Sequence, residues 1–323
     1  MPVTREDVVY AYRMFLGRDP SVEERNAWSA TMTVTDLRSA FLAAEEFQSI
    51  LGSLGITPQL RLPQILAPLQ VEWQVAPEME ARLLGHVTAT WTALGDDRPH
   101  WSVLSSDNFL PENMRANAKL FYESGASDAK LIVNILDRNG LKPAGLPHLV
   151  EYGCGVGRVT PHLAAVFSQV TGVDISATHL KMAEHEVAKR GCRNVDLRLA
   201  RAPEFGMAEP FDLWFSYIVL QHNPPPIIAM LLRRAFDMLR PGGLAIFQIP
   251  AYARGYNFNL AEYLAKPSPV GEIEVHCFPQ AVVFQLAREA GLDVLEVRED
   301  TAMGPPSAWL SNTFVFRKQG SQG

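Results

Sequence analysis

Cysteine is scarce in this sequence. Cys154, Cys192 and Cys277 are the only three among 323 residues, and no two stand at metal-ligand spacing. An odd, scattered set excludes a disulfide framework and a cysteine-based zinc site, so no metal is expected. Long apolar runs are missing too. No stretch approaches the roughly 18 residues that a membrane-crossing helix needs. The start, MPVTREDVV, has no secretory signal pattern, which makes the cytoplasm the expected location. There is also no basic stripe. The net charge is -6 and the pI about 5.8, and the pairs Lys189-Arg190 and Arg233-Arg234 are short. Nucleic acid is therefore not expected as a partner, because phosphate binding needs clustered positive charge. Repeats and low-complexity segments are absent as well. What remains is globular composition, with 47% hydrophobic against 20% charged residues and length enough for a large domain plus a small one.

Residues 1–55 read as a small all-helical module. Val8, Val9, Tyr12, Phe15 and Leu16 recur at helical spacing after Thr4, a candidate N-cap, and Gly17 ends that helix. Ser21 with Glu24 forms a capping box before a second helix carrying Trp28. A third begins near Thr33 or Thr35 and places Leu37, Phe41 and Leu42 on one face. Residues 56–112 read as a proline-rich connection, with Pro58, Pro63, Pro68 and Pro77, then a helix over 78–94 and a loop over 99–111. Two helices are expected next, over 113–123 and 128–139.

From Leu146 the pattern changes. Short apolar runs at 149–152, 169–173, 195–199, 211–217 and 244–249 alternate with amphipathic helical stretches. Two further strands are expected at 294–297 and 313–317, after a helix over 279–290 that Gly291 terminates. Alternation of this kind predicts an α/β fold with a mostly parallel sheet and helices on both faces.

The first strand runs into Glu151-Tyr152-Gly153-Cys154-Gly155-Val156-Gly157-Arg158 and then a helix. Glycines there let the backbone approach a ligand and take positive φ. Asp174 ends the second strand roughly 20 residues after Gly153, where a carboxylate can accept both hydroxyls of a ribose. A dinucleotide fingerprint wants a third glycine where this chain has Arg158, which fits a pyrophosphate poorly.

That turn instead resembles the glycine loop of the class I, Rossmann-like, S-adenosylmethionine-dependent methyltransferases. The resemblance extends over about residues 115–318, through Phe211-Asp212 to Gln221-His222 and Leu239-Arg240-Pro241-Gly242-Gly243-Leu244. It implies a seven-stranded sheet in a domain spanning 113–318, with S-adenosylmethionine as donor and S-adenosylhomocysteine as product. Glu151, Gly153, Cys154, Gly155 and Gly157 would form the cofactor loop and Asp174 would hold the ribose. Ile175, Arg201 and Ala202 would lie at the adenine, and Ser216, Tyr217 and Gln221 along the far wall. Where the family often has an acid for the adenine amino group, this chain has Arg201.

His222 is the candidate base, and the same position can serve only to order its loop. Tyr122 can pack over the cofactor or be a core aromatic. Trp101 and Asp107 lie in a stretch able to contribute to a lid. The segment 251–276, with Tyr252, Arg254, Tyr256, Asn257, Glu262, Tyr263 and His276, is long enough for an acceptor pocket or lid. The expected acceptor is a small molecule or a saccharide. The saccharide option comes from the first 50 residues, which resemble an uncharacterised helical module found beside enzymes that modify sugars and cell-surface polymers. Rival readings are a non-catalytic cofactor binder and an NAD(P)-dependent oxidoreductase.

Overall fold

The structure is a computed structural model that describes residues 3–28, 32–53, 68–265, 267–303 and 309–320. The chain divides into two compact units, 1–61 and 62–323.

The first unit is helical. Helix α1 (Arg5–Ala11) is capped by Thr4, whose side chain and the carboxylate of Asp7 satisfy each other's backbone N–H. A π-type turn over Tyr12–Leu16 follows and stops at Gly17, with φ +68°. Ser21 and Glu24 cap α2 (Val22–Ala27) in the same reciprocal way, and Thr33 with Asp36 caps α3 (Val34–Ala43). Helix α4 (Glu45–Ser53) completes the unit. Val8, Tyr12, Leu37 and Phe41 form its core, with Trp28 stacked on Phe41 at 5.4 Å. The guanidinium of Arg18 spans Glu24 and Glu46 at 2.7 and 2.8 Å. The prolines at 58 and 63 of the expected linker lie outside the described residues.

The second unit includes α5 (Pro77–Asp97), where a helix over 78–94 was expected, and the short α6 (Pro99–Val103), in a stretch read from sequence as loop. They are part of the fold: Leu83 of α5 is fully buried in the main core. Helix α7 (Met114–Arg138) is one helix where two were expected. Gly125 does not break it. A Cβ there would come within 2.0 Å of the Arg158 carbonyl oxygen, so this glycine permits close packing. Ser124 and Ser127 turn their hydroxyls back onto carbonyls three residues earlier, at 2.6 Å.

The sheet follows: β1 (His148–Tyr152), β2 (Gln169–Asp174), β3 (Val195–Leu199), β4 (Phe211–Ser216), β5 (Leu239–Ala253), β6 (Leu292–Asp300) and β7 (Trp309–Lys318). Its seven strands lie in the order β3-β2-β1-β4-β5-β7-β6, and only β7 runs antiparallel to its neighbours. The connecting helices are α8 (Thr160–Ala164), α9 (Ala177–Lys189), α10 (Pro225–Met238), α11 (Leu260–Ala265) and α12 (Gln280–Glu289). This is the expected Rossmann-like α/β sheet, longer at β5, β6 and β7 than the apolar runs indicated.

Both faces are buried, as a mostly parallel sheet requires. Val150, Trp214, Ala245 and Phe247 face one core, shared with Ile228, Leu232 and Phe236 of α10. Their sequence neighbours Leu149, Leu213, Phe215, Leu244 and Ile246 face the other, shared with Ile132, Ile135 and Leu136 of α7. The two-residue alternation of strand side chains sorts consecutive apolar residues to opposite sides. The order of strands reverses between β1 and β4, which opens a crevice at their carboxyl ends, the usual ligand position in such sheets.

Candidate active site

A cavity of about 390 Å³ lies at that crevice. Its floor is the glycine turn after β1. Gly153 has φ +85°, and a Cβ there would meet Val219 at 2.3 Å. A Cβ on Gly155, φ +54°, would meet Val103 of α6 at 2.7 Å. The N–H groups of Gly153 and Cys154 both donate to the Val173 carbonyl, which ties the turn to β2. A side chain at 153 or 155 would collide with Val219 or Val103, so the glycines let these residues close on the turn.

Two buried carboxyls flank the turn. Asp174 accepts the N–H of Gly155 at 2.9 Å and the N–H of Ser176 at 2.8 Å. Its Oδ1 also lies 3.2 Å from Nδ1 of His179 on α9, and His179 Nε2 lies 3.0 Å from the Ser102 hydroxyl of α6. The carboxylate is thus fixed in place from the loop, the helix and the segment above. Glu151 accepts the Thr160 hydroxyl at 2.6 Å. Burial raises its carboxyl to about 7, against the lowering effect of Thr160 and Arg158.

The opposite wall is made by the chain after β4. Ile218 holds φ +57°, unusual for a β-branched residue, and its N–H donates to Gln248 Oε1 at 3.1 Å. This bend turns Val219 onto Gly153. A 3-10 turn, Leu220–His222, then brings Gln221 and His222 to the cavity. The Nδ1 of His222 lies 2.7 Å from the Glu274 carbonyl oxygen. A carbonyl only accepts, so Nδ1 carries the proton. Burial pushes this imidazole down to about 4, so near neutral pH it is uncharged, and the Nε2 lone pair faces the Gln221 side-chain amide nitrogen at 3.3 Å. Trp91 of α5 lies 5.5 Å from the His222 ring.

Of the residues expected from sequence, the cavity gathers Glu151, Gly153, Cys154, Gly155, Asp174, Ile175, Tyr217, Gln221 and His222. Five others stand outside its lining. Tyr122 packs among Phe121, Val156 and Met182, with its hydroxyl 3.1 Å from His100 Nε2. Gly157 lets α9 approach: a Cβ there would come within 2.9 Å of the Ala183 Cα. Ser216 donates to the Tyr152 carbonyl at 3.1 Å and joins β1 to β4. Arg201 and Ala202 are exposed beyond β3. Trp101 and Asp107 do not reach the cavity either; the wall from that stretch is Ser102 to Ser105.

The sequence reading missed Val87 and Trp91, His179, the Arg158–Asp128 ion pair, and Ile273 and Val275. Trp91 and Val87 stand one turn apart on α5, a spacing visible in the sequence, but nothing there said which face met the cavity. Among the described residues no group of acidic, histidine or cysteine side chains could hold a metal ion, and no helix is long and apolar enough to cross a membrane.

Residues 149–243 match a family model described as a methyltransferase domain. Two relatives carry the name ubiquinone biosynthesis O-methyltransferase. The protein from Thiobacillus denitrificans is 31% identical over 155 residues, 46% of this chain and 66% of that one. The protein from Aromatoleum aromaticum is 32% identical over 170 residues, 50% of this chain and 70% of that one. The chain therefore spans about two thirds of these relatives, just under that for the first. Magnesium protoporphyrin IX methyltransferase from Synechocystis, solved with bound S-adenosylhomocysteine, superposes with a TM-score of 0.52 over 73% of this chain and all of that one. At 15% identity that likeness shows a shared fold.

Proposed function

Since the chain belongs to the class I S-adenosylmethionine-dependent methyltransferases, we propose that it transfers a methyl group to a hydroxyl of a small molecule, with His222 as base. The observation that carries this reading is the neutral His222, held in one tautomer at the cavity wall opposite the glycine turn.

The donor set suits S-adenosylmethionine. Gly153, Cys154 and Gly155 line the cavity, so its methionine part can meet main chain there. Asp174 can accept ribose hydroxyls, and Ile175 offers an apolar wall beside them. The cofactor supplies the electrophilic methyl on a sulfonium. The protein's part is orientation: holding nucleophile and methyl near contact distance can contribute several kcal/mol, about 7–11 in the best intramolecular cases. An oxygen nucleophile gains further from a group that takes its proton, and His222 Nε2 can do so at neutral pH. An amine would need such a base less.

Val87, Trp91, Leu104, Val219, Ile273 and Val275 supply an apolar wall. That wall suits a flat, largely apolar acceptor better than a polyol, and the relatives' O-methyltransferase names point the same way. Three free cysteines accord with a cytoplasmic setting.

The test is transfer of labelled methyl from S-adenosylmethionine to a panel of phenols, sugars and amines, beside thermal shifts with S-adenosylhomocysteine and NAD. Label in the phenols and a shift with S-adenosylhomocysteine alone are expected. A shift with NAD alone would remove the reading.

A further inference from the structure

We propose that Glu274 is the positioning residue of His222: its carboxylate clamps the strap 273–276 so that its own backbone carbonyl holds His222 in the Nδ1–H tautomer. The proposal rests on the reading of His222 as base only for its catalytic consequence.

The strap meets the turn after β4 through two short bonds. His222 Nδ1 donates to the Glu274 carbonyl, and the N–H of His276 donates to the Gln221 carbonyl, each at 2.7 Å. Ile273 and Val275 line the cavity on either side, whereas Glu274 does not. Its side chain is occupied elsewhere. Oε2 accepts the Tyr263 hydroxyl at 2.8 Å and lies 2.9 Å from His276 Nε2. His276 Nδ1 lies 3.0 Å from the Tyr256 hydroxyl, and His86 of α5 lies 3.8 Å from Glu274 Oε1. One residue thus fixes the strap by its side chain and the base by its main chain.

The energetics favour a firm clamp. Burial would raise the Glu274 carboxyl, but hydrogen bonds from His276, Ser268 and Tyr263 hold it down to about 2. It is ionised throughout the neutral range, and charge-assisted bonds of this kind are stronger than neutral ones. The titratable groups around the pair come from every packed element: His86 from α5, and Tyr256, Tyr263 and His276 from the segment between β5 and α12. Without the clamp the strap keeps only its main-chain bonds, among them the His276 N–H to Gln221, and the Glu274 carbonyl is held less firmly. The Gln221 side-chain amide, 3.3 Å from His222 Nε2, is then the remaining restraint on the tautomer, and a fraction of His222 can carry its proton on Nε2, the atom that must accept one.

The experiment is nitrogen-15 NMR of labelled histidine in the full chain, paired with steady-state kinetics. Wild type should show His222 protonated at Nδ1. Glu274→Ala should bring a mixture of tautomers and lower kcat about tenfold or more, inside the hundredfold or more that a base contributes. Its affinity for S-adenosylhomocysteine should stay within about twofold, since nothing at the glycine turn has changed. Glu274→Gln keeps an acceptor for Tyr263 and should recover part of the loss. If Glu274→Ala does not fold, Tyr263→Phe removes one clamp bond and should give the same tautomer change in smaller measure. In a His222→Ala background, Glu274→Ala should lower kcat no further. Wild-type turnover by His222→Ala would remove the base reading and leave the tautomer result to judge the clamp. A His222 that keeps the pure Nδ1–H form in every Glu274 and Tyr263 variant would overturn the proposal.

Discussion

At one end of the cavity the wall is backbone and carboxylate. Gly153, Cys154 and Gly155 are consecutive, and Asp174 reaches them through a single bond to the Gly155 N–H. At the other end the wall is side chains from distant stretches: Trp91 on α5, His222 after β4, and Ile273 and Val275 from the strap before α12. The first end depends on local backbone shape and fixed charge. The second exists only once the helices and strap have packed. Binding of the cofactor and chemistry on the acceptor should therefore fail separately.

Asp174→Ala breaks the first end most severely. It removes the carboxylate proposed to accept the ribose hydroxyls, and hydrogen bonds to such a group contribute about 1.5–3 kcal/mol each. S-adenosylhomocysteine affinity should fall about 100-fold or more by calorimetry, and an unchanged Kd would refute the ribose role.

Glu151 sharpens the same end through pH. Its folded-state pKa of about 7 lies above the ordinary 4.5, so the folded protein keeps a proton that the unfolded chain gives up. The stability tied to that proton is complete below about 4.5 and is lost as pH rises through about 7, a change of about 3 kcal/mol. His222 works in the opposite sense. With its pKa lowered to about 4, it contributes stability above about 6.5 that is lost as pH falls through about 4. The clean readout is thus the difference between wild type and Glu151→Gln. Wild type should lose ground steadily over pH 4.5 to 7 in chemical denaturation; a flat difference would show that Glu151 is not held protonated.

His222→Ala breaks the second end. It should lower kcat about 100-fold, the lower range for a general base, with the acceptor assay as the measure. Trp91→Ala is the smallest test. It should raise KM for the acceptor about 5- to 30-fold, equivalent to about 1–2 kcal/mol of lost apolar contact, and leave S-adenosylhomocysteine binding as it was.

The same division decided what could be read before folding. The glycine turn and Asp174 were legible because their requirement is local: positive φ, no Cβ, a carboxylate at a strand end. The alternation of apolar runs with helices marked β1 to β4 for the same reason. Trp91 was not legible, and Ser102 to Ser105 and Val275 were not singled out within the stretches read as lid or pocket, because an apolar or small residue carries no mark of which cavity it will face. The break expected between residues 123 and 128 is absent, and Gly125 in that stretch instead admits the Arg158 carbonyl. Tyr122 and Ser216 are on the expected elements, but their polar atoms are turned to His100 and Tyr152, contacts that only the packed chain defines.

The separability of the two ends is tested most directly by calorimetry of S-adenosylhomocysteine on Asp174→Ala and His222→Ala side by side. Binding should be lost from the first and match wild type in the second. Wild-type binding by Asp174→Ala, or loss of binding by a folded His222→Ala, would contradict it.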